Sequence, residues 1–142
     1  MEVSVVRNRL RLTMEQARQR ARLRRERNDE AQRHYAAFIE QVATPVTRML
    51  ASALTAEGRP FSVHTPGDSV RLASDRNRSD GIEFGLDVTG AAPQVVGHVH
   101  VTRGSRVVEE ERVLKAGAAP DALTDEDVLQ FLLDALEPWL DR

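Results

Sequence analysis

The sequence predicts an α+β domain: a five-stranded antiparallel meander with one face covered by a long, kinked N-terminal helix and a C-terminal helix. Three observations predict it. Tyr35, Phe38, Ile39, Val42, Val46, Met49, Leu50, Ala53 and Leu54 recur at helical spacing and make one broad apolar face. Residues 60–115 alternate apolar and polar side chains, with turn residues about every ten positions. The end of the chain, TDEDVLQFLLDALEPWL, is an acid-rich helix start followed by leucines at helical spacing. At 142 residues the chain is one domain by size. It divides into a tail and Arg-rich helical extension at 1–33 and a single α+β domain at 34–142.

Taken in order, residues 1–12 alternate weakly and are expected to be mobile. Thr13 and Gln16 fit a capping box that starts a helix. Met14, Ala17, Ala21, Ala31, Tyr35, Phe38 and Val42 follow a 3-4 alternation, but Arg24 and Asn28 occupy seam positions where a strong coiled coil places leucine or isoleucine. The first half of this helix is therefore expected to project or to lie on a partner. Pro45 interrupts the second half. Either Thr44 caps a fresh helix with Pro45 at its first position, or a single helix kinks near Gln41. Gly58 and Pro60 stop it.

Five strands are expected at Phe61–Thr65, Ser69–Asp75, 82–88, Val95–Arg103 and Arg106–Leu114. The third gives the cleanest pattern: Ile82, Phe84, Leu86 and Val88 alternate with Glu83, Gly85 and Asp87. Gly104-Ser105 is a two-residue hairpin signal. Thr124 caps the last helix, with Asp125, Glu126 and Asp127 in its first turn and Leu123 and Val128 as a hydrophobic staple. Val128, Leu129, Leu132, Leu133, Leu136 and Leu140 are expected on its buried side. Pro138 ends regular helix and leaves Trp139 to fold back onto the core.

Charge is unevenly placed. Residues 1–33 hold ten arginines against five acids, whereas residues 34–142 hold ten basic and seventeen acidic side chains. The chain thus has a basic arm and an acidic body. With no cysteine, it has no disulfide, thiolate metal site or thiol nucleophile. No apolar run is long enough to span a membrane, and Val3–Val6 is too short for a signal peptide, so a cytoplasmic location is expected and no membrane partner.

Several residue sets are candidates for chemistry. His98 and His100 sit two apart on one strand and share a face, where a metal would need His64 or one of Glu109, Glu110 and Glu111 to complete its ligands. The bland reading is a pair of polar fillers on a solvated face. The three glutamates with Asp87 and Glu83 lie where edge charges discourage aggregation, which explains them better than acid–base catalysis does. There is no phosphate-binding glycine loop and no nucleophile with an evident base, so no catalytic residue and no cofactor is assigned. The candidate partner-binding residues are Arg18, Arg22 and Arg25 on one side of the arm and Arg20, Arg24 and Arg27 on another. Nucleic acid is a weaker match than protein, because acids are interspersed, base-stacking aromatics are absent from the arm and the body is acidic.

The segment AAFIEQVATPVTRML, the E-G-R that follows it, and LTDEDVLQFLLDAL resemble a group of small uncharacterised bacterial proteins. These share an F-x-x-x-V-x-x-P helix, here Phe38, Val42 and Pro45, with matches also at Leu50, Gly58 and Thr124–Leu133. The resemblance spans about residues 30–136 and implies the architecture, with no activity attached. The expected function is a non-enzymatic protein-interaction module, an adaptor, scaffold or chaperone-like domain. It would self-associate or bind an acidic protein through the arm. The alternatives are a nucleic-acid accessory protein using the same helix, and a metal-dependent enzyme on the sheet face bearing His64, His98 and His100.

Overall fold

A computed structural model describes residues 1–141. The first helix, α1, runs over Val3–Phe38 without a break. No glycine or proline occurs between Val3 and Thr44, and arginine, glutamine, leucine and alanine all favour helix. The start therefore lies well before Thr13. Residues 3–12 are helix rather than a mobile tail, and Thr13 falls inside the helix instead of capping it. Glu2 stands at the N-cap and makes no side-chain capping bond.

Pro45 neither breaks the helix nor starts a fresh one. Ile39–Ala43 form a π-helical turn, and α2, Thr44–Ala56, continues directly from it. The Thr44 amide donates to the Ile39 carbonyl, five residues back. A proline ring clashes with the carbonyl one turn before it, and a widened turn relieves that clash. The extra residue also rotates everything beyond it by about 100°. That rotation corrects the predicted apolar face. Met49 is 64% exposed and Ala53 is exposed, whereas Ala43, Thr47 and Ala51 turn inward. Thr47, fully buried, satisfies its hydroxyl by donating to the Ala43 carbonyl at 2.6 Å.

The sheet follows as β1 (Phe61–His64), β2 (Arg71–Ser74), β3 (Gly81–Asp87), β4 (Gln94–Arg103) and β5 (Arg106–Val113). It is an antiparallel meander in sequence order. Gly104, with φ of 65°, opens a two-residue turn between the paired Arg103 and Arg106. Val63, Leu72, Ile82 and Val99 form one cross-strand row beneath the helices. The next row, His64, Arg71, Glu83, His98 and Glu111, lies on the open face. β5 is an edge strand, exposed along most of its length and rich in charge, as expected of an edge that must not pair further.

A 3₁₀ turn at Pro120–Ala122 leads to α3, Asp125–Ala135, and then to the short α4, Glu137–Leu140. Thr124 and Asp127 exchange reciprocal bonds at 3.2 and 3.0 Å in a capping box. Val128, Leu132 and Leu136 are buried as expected, and Trp139 folds onto the core. Leu133 and Leu140 are each 41% exposed and Leu129 is half-buried; Phe131 takes the inward place instead. Its ring continues an aromatic line through Tyr35, Phe38 and Phe84, with centroids 6.0–6.4 Å apart. Gly97 makes room for it, since a methyl group there would stand 2.3 Å from the ring.

Candidate functional site

The first buried side chain of α1 is Ala31. The body grips the helix from there down. Tyr35 donates or accepts a bond with Ser69 at 3.4 Å, and Ser69 donates to the Phe84 carbonyl at 2.6 Å. Burial pushes the Tyr35 phenol above its ordinary range. Gln32 reaches Asp68 at 3.4 Å, and His34 lies 3.8 Å from Asp121. A cavity of about 320 Å³ remains between the helix, the β3–β4 turn and residues 117–121. Beyond this grip, residues 3–26 stand clear of the body. At 1.5 Å per residue they make a rod of about 36 Å.

The predicted arginines do not all serve the same end. Arg18, Arg24 and Arg25 are exposed. Arg20 donates to the Gln16 carbonyl and Arg22 to the Gln19 side chain, both within the helix. Arg27 departs from the expectation. It is half-buried, donates to the Ala91 carbonyl of the β3–β4 turn and to Asn28, and has its Nε buried without a partner. Position 27 is where α1 meets that turn, so its guanidinium is drawn into holding the arm to the body.

Because helix begins at Val3, the heptad pattern extends N-terminal of Thr13. Val3, Leu10, Ala17, Arg24, Ala31 and Phe38 fall seven apart, as do Arg7, Met14, Ala21, Asn28 and Tyr35. The two series form a single stripe. Its lower part is core: Ala31, Tyr35 and Phe38 are buried. Among the described residues nothing packs against its upper part, with Val3 72%, Leu10 56% and Met14 44% exposed. Val3, Arg7 and Leu10 carry the same spacing in the sequence, and a helix starting at Thr13 leaves them out.

The histidines do not converge. His64 is on β1 and His98 on β4, with Arg71 and Glu83 between them in the row. Three strand spacings amount to about 14 Å. His98 and His100 share the open face, but the carboxylate near His98 is a single Glu109, at 3.6 Å. Among the described residues no group of three or more His, Asp or Glu side chains stands close enough to hold a metal ion. The acids are equally dispersed. Hydrogen bonds from Thr89 hold the Asp87 carboxyl below its usual range, and the bond from Arg112 does the same for Glu110. Glu110 is exposed and Asp87 partly so, and neither has the unlike partner that acid–base work requires.

No family model, curated protein or solved structure matches the chain. What it does must be read from its own surface.

An open cleft of about 590 Å³ lies between the β2–β3 turn, the β4–β5 hairpin and α4. Arg59, Arg76 and Arg103 line it. Arg59 donates to the carbonyls of Trp139 and Leu140 at 2.9 and 3.1 Å, and Arg76 to that of Gly58 at 3.2 Å. Asp80, 2% exposed, accepts from the Trp139 indole at 3.0 Å and from the Thr102 amide at 2.7 Å. These bonds tie the end of the chain to the sheet, so the polar groups here serve the fold. Among the described residues no helix is long and apolar enough to cross a membrane.

Proposed function

We propose that this chain is a non-enzymatic protein-interaction module whose body holds out a basic helix for a partner to bind. One observation carries the reading: the stripe that docks α1 onto the core continues along residues 3–26 with nothing covering it. A helix exposing apolar side chains in a row, here Val3, Leu10, Met14 and Ala17 with Arg7 and Arg24 between and beyond them, is an unfinished interface. The arginines beside the row favour a partner surface that is acidic.

A photo-crosslinking amino acid placed in cells at Leu10 or Met14, on the stripe, is expected to capture protein. The same group at Glu15 or Glu26, off the stripe, is expected to capture far less. Equal capture from both sides, or none from the stripe, would defeat the reading. Capture of RNA or DNA instead of protein would bring forward nucleic-acid binding through the same arginines.

A further inference from the structure

The charges flanking the stripe restrict what can lie on it. In a paired helix, the positions beside the seam meet their counterparts on the partner and set which partner is accepted. Arg11, Arg18 and Arg25 follow the seam residues Leu10, Ala17 and Arg24; Arg20 and Arg27 precede Ala21 and Asn28. Every charged residue flanking the seam between positions 10 and 28 is therefore an arginine. The acids of this stretch, Glu15 and Glu26, lie on the outer side of the helix. Two arms paired with each other would bring Arg20 against Arg25 in a parallel arrangement, and arginine against arginine on each flank in an antiparallel one. Arg7 and Arg24 would also be buried in the seam. Like charges so placed oppose pairing.

The complementary surface is present on the same chain. Exposed Leu133 and Leu140, with half-buried Leu129 one turn before Leu133, form a partly uncovered strip along α3 and α4. Beside it stand Glu126, Asp134 and Glu137, all exposed. Asp134 is held by Gln130 at 3.0 Å, which leaves its carboxylate facing solvent. The α3 part of the strip, Asp125–Ala135, is about 16 Å long by helical rise, within the reach of the rod. The arm cannot turn back onto its own α3, because α1 enters the body as one continuous helix fixed by Tyr35, Phe38 and Arg27.

We infer that the arm of one protomer lies on the acid-flanked leucine strip of a second copy of this chain, and that the two copies exchange arms. The inference rests on the interaction-module reading and names its partner. An exchange of this kind is self-complementary, so it closes at two copies.

The test is mass in solution by light scattering on the full chain, with salt as a variable. At low ionic strength and about 50 µM the expected mass is twice the 15.9 kDa of the chain, falling toward one copy as salt approaches about 0.5 M. Arg18→Glu with Arg25→Glu should weaken the dimer at least about tenfold, as should Asp134→Arg with Glu137→Arg. In the second pair, position 134 lies near the end of α3, where the helix dipole favours positive charge, and both positions are exposed. Trp139 fluorescence and helical circular dichroism verify that each variant folds. Mixed one to one, the two double variants should restore a dimer containing one of each.

A chain that stays monomeric at about 50 µM in low salt overturns the exchange. So does a dimer that neither double variant weakens, or a mixture that fails to re-form. A monomeric chain that still captures another protein from Leu10 would leave the interaction-module reading standing and remove only the exchange. A monomer that captures nothing would remove both.

Discussion

Asp80 is the most heavily used polar side chain in the core, and removing it should be costly. Its carboxylate accepts from the Trp139 indole at 3.0 Å and the Thr102 amide at 2.7 Å, and the residue is 2% exposed. Asp80→Ala takes the acceptor from the Trp139 and Thr102 donors. A buried donor left unpaired costs about 1–3 kcal/mol, so the pair should cost about 2–6 kcal/mol. A domain of ordinary stability has only about 5–15 kcal/mol in total. Asp80→Asn keeps one acceptor oxygen but turns an amide toward the other donor, and should cost about 1–3 kcal/mol. Urea unfolding followed by fluorescence is well suited, because Trp139 is the single tryptophan and lies at the contact. Trp139→Phe keeps an aromatic ring against Phe61, now 6.0 Å away edge to face, while removing the donor. In a cycle with Asp80→Asn, followed by circular dichroism, the coupling should exceed about 1 kcal/mol. An Asp80→Ala protein within about 0.5 kcal/mol of the parent would refute the account of this lock.

Three further outcomes follow from the packing. Gly97→Ala would set a methyl group 2.3 Å from Phe131 and should cost about 1–3 kcal/mol in urea unfolding; an unchanged midpoint would show that the ring moves freely. Met49→Lys should change stability by less than about 0.5 kcal/mol, and Ala51→Lys, only two residues on, by several times more; the reverse order would contradict the rotation introduced by the π turn. Tyr35 is the only tyrosine, and burial raises its phenol above the usual value. The stabilisation that goes with the neutral phenol is complete below the unfolded value, near 10, and is lost as pH rises through the higher folded value. Tyr35→Phe should remove that alkaline loss, and a tyrosinate absorbance titration at or below the ordinary range would contradict it.

The strands were readable because each keeps one dry and one wet face. Ile82, Phe84 and Leu86 declare a period of two, and Gly104-Ser105 declares the turn. The cap at Thr124 was readable for the same local reason. Two features were not. A π turn has no residue signature beyond the proline it precedes, so the helical spacing places Met49 on the core side, whereas the structure exposes Met49 and buries Thr47. Asp80 carries no local signal of burial, because its partners, Trp139 and Thr102, are remote in sequence. On the arm, arginine counts were readable, but Arg27 is claimed by Ala91 through a contact 64 residues away. The flanking pattern of the remaining arginines became visible only once helix was known to begin at Val3.

The wide turn at Ile39–Ala43 also sets an angle. α2 is fixed against the sheet below it, and α1 leaves above it as one continuous rod. Removing one residue from this turn leaves both pieces helical yet swings the free end by about 100° about its axis. Leu10 and Met14 would then face a different quarter of space, although neither had been touched. The direction in which this molecule offers its arginines is thus set jointly by the grip on Ala31, Tyr35 and Phe38 and by a turn more than 30 Å away, at about 1.5 Å per residue from Ala43 back to Ala17.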